Sequence, residues 1–535
     1  MKFNFKPLSA AALLIIASSC GSADIISTPI GNIDSTPLKE QALTEAETHK
    51  WAHMDLVTDT IPGMSVEKAY TEILNNRKGK TVVVAVIDTG IDIDHEDLKD
   101  VIWTNKKEVP NNGKDDDKNG YIDDVHGWNF LGDGYDEQLE YVRLIASGDT
   151  SNPRFNEAKA ELEKETNETL AKKTRYEQML QRITNADKAI VAHLKKDTYT
   201  KETLNAIKTE DENLKESIAV INQMLAYGFE DVAAIKKEVS NGVTYFTERL
   251  NYHFNVDFNG RKTGDDPNDF SQTTYGNGNV KHIRKDESHG THVAGIIAAT
   301  RNNGIGMNGV ANHVEIMTVR TVPNGDEYDK DVALAIRYAV DNGAKVINTS
   351  FGKFYSSHPE KVIDAIIYAG ENDVLIINAA GNDHVDIDKT NVYPNDVRNG
   401  SEVSEAFLTV GALAPKYGSE IVARYSNYGQ VNVDIFAPGS KIYSTFPENE
   451  YKAINGTSMA APAVAGIAAL IRSQFPKLSA ADVKNVILES GLPIHTKVIV
   501  GGDSNDVRAF ETLSTSGKMA NAYNALILAS KYNKK

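Results

Sequence analysis

From residue 81 onward, short and strongly apolar runs recur between stretches of helical periodicity: TVVVAVI at 81–87, VEIMTV at 314–319, KVINTS at 345–350, VLIINAA at 374–380 and VNVDIFA at 431–437. A strand that is apolar along its whole length has to be covered on both faces, so these runs read as a sheet buried between two layers of helices. The stretch 331–342 shows what covers it, with Val332, Ala335, Ile336 and Ala339 on one face and Gly343 as the stop signal. Strands alternating with such helices predict an α/β fold, a doubly wound and mostly parallel sheet. With 41% hydrophobic and 24% charged residues, the chain can supply that core.

The stretch 132–275 breaks the alternation. It is dense in Glu, Lys and Thr and shows almost no strand pattern. Tyr176, Met179, Leu180, Ile183, Ala186, Ile190 and Leu194 recur three and four residues apart, as do Leu214, Ile218, Ile221 and Leu225. Such narrow stripes predict a long helical insertion folded as a hairpin, between the parts of a main domain at 51–131 and 276–535. At the other end, Lys2 and Lys6 precede an apolar stretch at 10–17 that is too short to cross a bilayer, so 1–19 reads as an export signal. Ala17, Ser18 and Ser19 then lead to Cys20, a pattern that resembles the lipobox of bacterial lipoproteins. The expectation is a lipidated Cys20, a tether at 20–50, and a place at the bacterial outer membrane or cell surface, or in the periplasm or medium without the lipid. Cys20 is the only cysteine, which excludes internal disulfides and cysteine-rich zinc sites. A formal net charge of −17 argues against a nucleic-acid partner.

Three motifs stand at ends of the predicted elements, where open parallel sheets place their sites. Asp88-Thr89-Gly90-Ile91-Asp92 follows the first strand; alone, Asp88 could bind metal or cap a helix. His289-Gly290-Thr291-His292-Val293-Ala294-Gly295 opens a small-residue helix, without the adjacent Glu that a zinc-hydrolase motif would need. Gly456-Thr457-Ser458-Met459-Ala460-Ala461-Pro462 sets a serine at another helix start, which alone could be a simple cap. Together they give Asp, His and Ser in the chain order of one known triad. DTGIDIDHEDL, HGTHVAG and GTSMAAP closely resemble the active-site signatures of subtilisin-like serine peptidases, and Ala379-Ala380-Gly381-Asn382 resembles that family's oxyanion-hole segment. The resemblance covers roughly 80–129 and 281–526.

The resemblance implies a subtilisin-like fold and a serine endopeptidase. Ser458 would be the nucleophile, His289 the general base, Asp88 the residue that orients it, and Asn382 an oxyanion donor with the Ser458 backbone N–H. Ser350, Phe351 and Gly352 match the family segment that pairs with an extended substrate backbone, which makes proteins and peptides the expected substrates. His292 would be structural.

Structural calcium is expected, and two stretches read as places for it. Asp115, Asp117, Asn119, the Tyr121 carbonyl and Asp123 follow the spacing of the first half of a calcium loop with glycine at its sixth position, Gly120; the alternative is a solvated acidic turn. Asp97 with Asn303, Ile305 and Met307 resembles the family's high-affinity site. The chain departs from the family in two respects: Asp88 and His289 stand 201 positions apart, and there is little room for a folded propeptide before the first strand. Two other functions fit parts of the pattern. An inactive binding lipoprotein would be expected to have lost one of the four key residues, and an esterase would be expected to carry its serine in a G-x-S-x-G elbow.

Overall fold

A computed structural model describes residues 25–75 and 77–532. The export signal and Cys20 lie outside the described residues. At the centre, β1 (Val82–Asp88) sends Val84 and Val86 into one apolar cluster and Ala85 and Ile87 into another. That split is why its sequence is apolar without alternation, since each face meets its own layer. Around it lie β2 (Gly127–Asn129), β3 (Val314–Arg320), β4 (Val346–Thr349) and β5 (Leu375–Ala379). The nine-stranded sheet runs Leu492–Pro493, Lys518–Met519, Ile435–Pro438, Phe407–Leu413, β5, β4, β1, β3, β2. Its pairs are parallel except the edge pair Leu492–Pro493 with Lys518–Met519. The expectation of an α/β fold with a mostly parallel sheet holds.

Two strands differ from the sequence reading. The run 431–437 is a strand only over Ile435–Pro438, because the Val431 and Asn432 amides donate to Asp388 in a preceding turn. Phe407–Leu413, fully buried, is an additional strand whose apolar run is masked by Thr409 and Gly411. Gly411 is required there because a Cβ would stand 2.4 Å from the Phe436 ring.

The helix Thr457–Gln474 lies almost wholly buried on one face of the sheet, and its Ala and Gly residues allow the close approach. The helices Asp329–Asp341 and Pro359–Glu371 cover the other face. Gly343, at φ +90°, follows the first of these and supplies the left-handed conformation that stops it. Each fully buried Val, Leu or Ile in these layers contributes about 1.5–3 kcal/mol relative to exposure.

Between β2 and β3 the chain forms a helical body. The helix Phe155–Leu194 packs along both Glu212–Leu225 and Val232–Glu248, so three long helices stand where the stripes predicted a two-helix hairpin. The third stripe, Val232, Ile235 and Val239, closes the cluster around Ile183, Ala186, Ile190, Leu214 and Ile221 but is obscured in the sequence by Lys236, Lys237 and Glu238. Asn129 and Asn277 exchange backbone hydrogen bonds of 2.9 and 3.1 Å, which pins the departing and returning chains together. The segment 25–50 also differs from a free tether. Ile33 is buried in a cluster with Phe510 and Leu513, and Ile30 exchanges hydrogen bonds of 2.8 and 2.9 Å with Asn524.

Candidate active site

β1 is flanked by β3 on one side and β4 on the other, so its carboxyl end is a point where the winding of the sheet reverses. Asp88 ends that strand with its carboxyl group fully buried. Its Oδ1 accepts from the Thr89 N–H at 2.7 Å and from His289 Nδ1 at 2.7 Å. A carboxylate can only accept, so Nδ1 carries the proton and Nε2 is left as the basic nitrogen. His289 opens the helix His289–Ala298, and its side chain is 33% exposed. Gly290 allows the helix to sit on the Asp88 turn, because a Cβ there would come within 2.6 Å of the Thr89 carbonyl. Burial pushes the His289 pKa down, but the charge of Asp88 and its hydrogen bond outweigh that and raise it above the ordinary value. His292 sits behind, with Nε2 at 3.0 and 3.1 Å from the Ile442 and Lys452 carbonyls. Burial pushes its pKa down to about 3, which keeps it neutral.

Ile87 pairs with Thr349, so Asp88 and Ser350 are neighbours at the ends of adjacent strands, about 4.8 Å apart in a sheet. Ser350 is also where Ser458 is anchored. The Ser458 hydroxyl donates to the Ser350 carbonyl at 3.0 Å, and the Ser350 hydroxyl donates to the Ser458 carbonyl at 2.9 Å. The second bond is available because Pro462, four residues on in the helix, has no N–H to claim that carbonyl. Among the described residues no hydrogen bond joins Ser458 to His289; the hydroxyl is parked on Ser350.

Asn382 follows Gly381, whose φ is +102°. Its Oδ1 accepts from the Thr457 N–H at 2.8 Å and the Thr457 hydroxyl at 3.1 Å. A backbone N–H can only donate, so the amide oxygen must face Thr457 and the NH2 group is turned away from it. The NH2 has no protein partner among the described residues. The Ser458 N–H, in the first turn of its helix, has no intrahelical acceptor either. Asn382, Ser458, Gly381, Ala379, Phe351 and Gly352 help to line a cavity of about 220 Å3. Ser350 is buried, Phe351 half-buried and Gly352 exposed, with Gly352 facing the Tyr393 carbonyl so closely that a Cβ would stand 3.1 Å from it.

Several roles in this site gave no signal in the sequence. Thr457 orients Asn382. Glu287 is buried two residues before His289, and its Oε1 accepts from the Gly90 N–H at 2.8 Å and from Arg320 Nε at 2.6 Å. Arg320 donates in turn to the Gly132 and Gly134 carbonyls at 3.1 and 2.9 Å. One buried ion pair thus joins the Asp88 turn, the His289 helix and the start of the insertion. Breaking such a pair from one side costs about 3–5 kcal/mol.

The two expected metal sites differ in how well their residues fit a cation. In the 115–123 loop, Gly120 takes φ +98° and the carboxylates of Asp115 and Asp117 converge. Their third partner is Glu108, which the sequence pattern missed because it comes from the preceding loop. Glu108 is buried; one of its oxygens accepts from the Asp116 and Asp117 amides at 2.9 and 3.1 Å, and the other has no partner among the described residues. Asp123 departs from the expectation, since its carboxylate turns to the Asn112 and Gly113 amides at 3.1 and 2.9 Å. Asn119 Oδ1 accepts from the Tyr121 N–H at 2.8 Å, and the Asn119 amide donates to Asp124 at 2.9 Å. Glu108, Asp115 and Asp117 form an all-oxygen set suited to a hard cation. The Asp97 set brings a single carboxylate. Asp97 accepts from the Asn303 amide at 2.6 Å and the Met307 N–H at 3.2 Å, and Asn303 Oδ1 is taken by the Ile305 N–H at 3.1 Å. Asp115 and Asp117 likewise accept from the Asn119 and Gly120 amides and from Asn105, so the two sets differ in the number of converging carboxylates and not in whether donors reach them.

Comparison with known proteins bears on this geometry. The model of the subtilase family (Peptidase_S8) matches residues 79–506. The "Thermophilic serine proteinase" of Bacillus sp. (strain AK1) is 42% identical over 188 residues, 35% of this chain and 43% of that protein. Thermitase of Thermoactinomyces vulgaris is 39% identical over 187 residues, 35% of this chain and 61% of its own length. The "Cell wall-associated protease" of Bacillus subtilis (strain 168) is 37% identical over 227 residues, 42% of this chain and 24% of its own length. The chain therefore spans less than two thirds of each of these relatives.

Proposed function

We infer the function of this chain from one premise: it belongs to the subtilase family. Its activity is that of a serine endopeptidase acting on proteins and peptides. The observation that carries this reading is the 2.7 Å bond from His289 Nδ1 to Asp88, which fixes the tautomer and leaves Nε2 basic beside the strand end where Ser458 is anchored. Rotation of the Ser458 side chain off Ser350 brings its hydroxyl to His289. As Oγ bonds to the substrate carbonyl carbon, Nε2 takes the hydroxyl proton, and Asp88 stabilises the imidazolium. The carbonyl oxygen becomes an oxyanion held by the free Asn382 NH2 and the Ser458 N–H. Collapse breaks the C–N bond, and His289 returns the proton to the leaving amine. Water then repeats the cycle on the acyl-enzyme. Ser350, Phe351 and Gly352 carry the backbone of the substrate. A peptide and the matching ester supplied to the wild type, Ser458→Ala and His289→Ala test the assignment. Peptide cleavage lost in both variants is expected; a folded wild type that binds peptide without cutting it would favour the binding-protein alternative.

Glu108, Asp115 and Asp117 would hold a structural calcium ion, which supplies positive charge to three converging carboxylates. Residues 1–19 and Cys20 are the basis for export and lipid anchoring. Radiolabelled palmitate on Cys20, lost in Cys20→Ala together with membrane association, checks that part; soluble wild-type protein would count against it.

A further inference from the structure

We propose that the helical insertion sets the shape of the pocket beside Ser458, with Arg154 and Glu140 as positioning residues for the substrate side chain next to the scissile carbonyl. The proposal rests on the peptidase reading above. Phe351, Gly352, Lys353 and Phe354 form one wall of the 220 Å3 cavity that Ser458 and Asn382 share. On the cavity side that wall is tied to Tyr393, whose backbone exchanges two 2.9 Å hydrogen bonds with Lys353. On the other side it is gripped by the insertion. Arg154 donates to the Phe354 carbonyl at 2.6 Å and stacks 3.6 Å from the centre of the Tyr355 ring. Glu157 fixes the guanidinium with two bonds of 2.9 and 3.1 Å, and the Tyr355 hydroxyl donates to Glu161 at 2.8 Å. Glu140 pairs with the Lys353 ammonium at 3.0 Å and accepts from the Ser357 hydroxyl. That ammonium is 2% exposed and is also held by Asp329 at 2.9 Å, so it has nowhere else to go without losing its partners.

The stretch 353–358 is held from two sides: Asp329 of the main domain takes Lys353, the Ser356 hydroxyl and the His358 N–H, and the insertion supplies the grip on Phe354 and Tyr355 and a share of that on Lys353. The insertion is thereby part of substrate selection, although none of its residues borders the reacting atoms. Loosening the wall alters how a bulky side chain fits, while the Asp88, His289 and Ser458 arrangement, on other elements, stays in place.

The test uses the full chain with Arg154→Ala, Arg154→Lys and the milder Tyr355→Phe. The substrates are peptide amides that differ only in Gly, Ala, Leu or Phe before the cut bond. kcat and KM are read separately, and the labelling rate of Ser458 by a small fluorophosphonate is read on the same preparations. Arg154→Ala is expected to change the Phe-over-Ala preference about tenfold, chiefly through KM, with a smaller change in labelling rate. Arg154→Lys keeps the charge but not the planar stack, so it restores the preference only in part. Tyr355→Phe shifts it less, in the same direction. Unchanged preference in all three variants, or an equal loss on every substrate that tracks thermal stability, overturns the proposal. Failure of the peptidase reading is visible separately, as a wild type that neither labels nor cleaves, and it takes the proposal down with it.

Discussion

Replacing Asn382 tests the oxyanion assignment, because its two ends do different jobs. Oδ1 takes two hydrogen bonds from Thr457, and the NH2 group is free for substrate. Asn382→Leu removes both. Loss of the NH2 donor should cost about 2.7–4 kcal/mol of transition-state stabilisation, a fall in kcat of about 10²–10³ with little change in KM. Loss of Oδ1 leaves the buried Thr457 N–H without its acceptor, a stability cost of about 1–3 kcal/mol. Asn382→Asp separates the two, since it keeps an acceptor for Thr457 and supplies no donor while adding negative charge beside the oxyanion. It should hold the thermal midpoint near the wild-type value and yet lose more activity than Asn382→Leu. Steady-state cleavage of a peptide amide, normalised to active sites, together with thermal unfolding of the three proteins, gives both numbers. A fall of less than about threefold in kcat for Asn382→Asp would refute the reasoning.

Further expectations follow from the same structure. Asp88→Asn should lower kcat about ten-thousandfold by releasing the tautomer. Because the charge of Asp88 helps to raise the His289 pKa and activity needs the neutral imidazole, the acid limb of the pH–rate profile should also move to lower pH in that variant. Calcium at about 100 times its Kd should raise stability by about 2.7 kcal/mol, and Glu108→Gln or Asp117→Asn should abolish that gain in thermal unfolding. Asp396 is pushed up to about 7 by burial first and by Glu402 next, so its folded form holds a proton that the unfolded chain has already lost. The stability it contributes is present at low pH and lost as pH rises through about 7. Asp396→Asn should therefore flatten the unfolding profile there and be the more stable protein at pH 8, as read by denaturant titration.

The sheet was legible in the sequence where the apolar run of a buried strand is unbroken, as β1 shows. It was not legible at Phe407–Leu413, where Gly411 answers to a tertiary neighbour, the Phe436 ring, and not to strand propensity. The insertion read as helical because its stripes repeat, but the third helix hid its apolar positions among charges. Within the site, residues standing in short motifs were visible, though not the part Thr457 plays on Asn382; Glu287, Arg320 and Glu108 lie outside the motifs and act through partners distant in the chain or through backbone amides. Arg320 is the clearest case: the sequence offers one arginine at a strand end, and only the folded chain shows it joined to Glu287, Gly132 and Gly134. Asp123 stands outside the converging group of Glu108, Asp115 and Asp117, and its carboxylate accepts from amides of the 112–113 turn.

The central claim is that Ser458 is an activated nucleophile. Its most direct test is labelling of the folded protein with a fluorophosphonate, followed by mass spectrometry of the adduct. The account predicts one adduct, on Ser458, lost in Ser458→Ala and greatly slowed in His289→Ala. An unlabelled protein that is demonstrably folded and calcium-loaded, or an adduct on another serine, would contradict it.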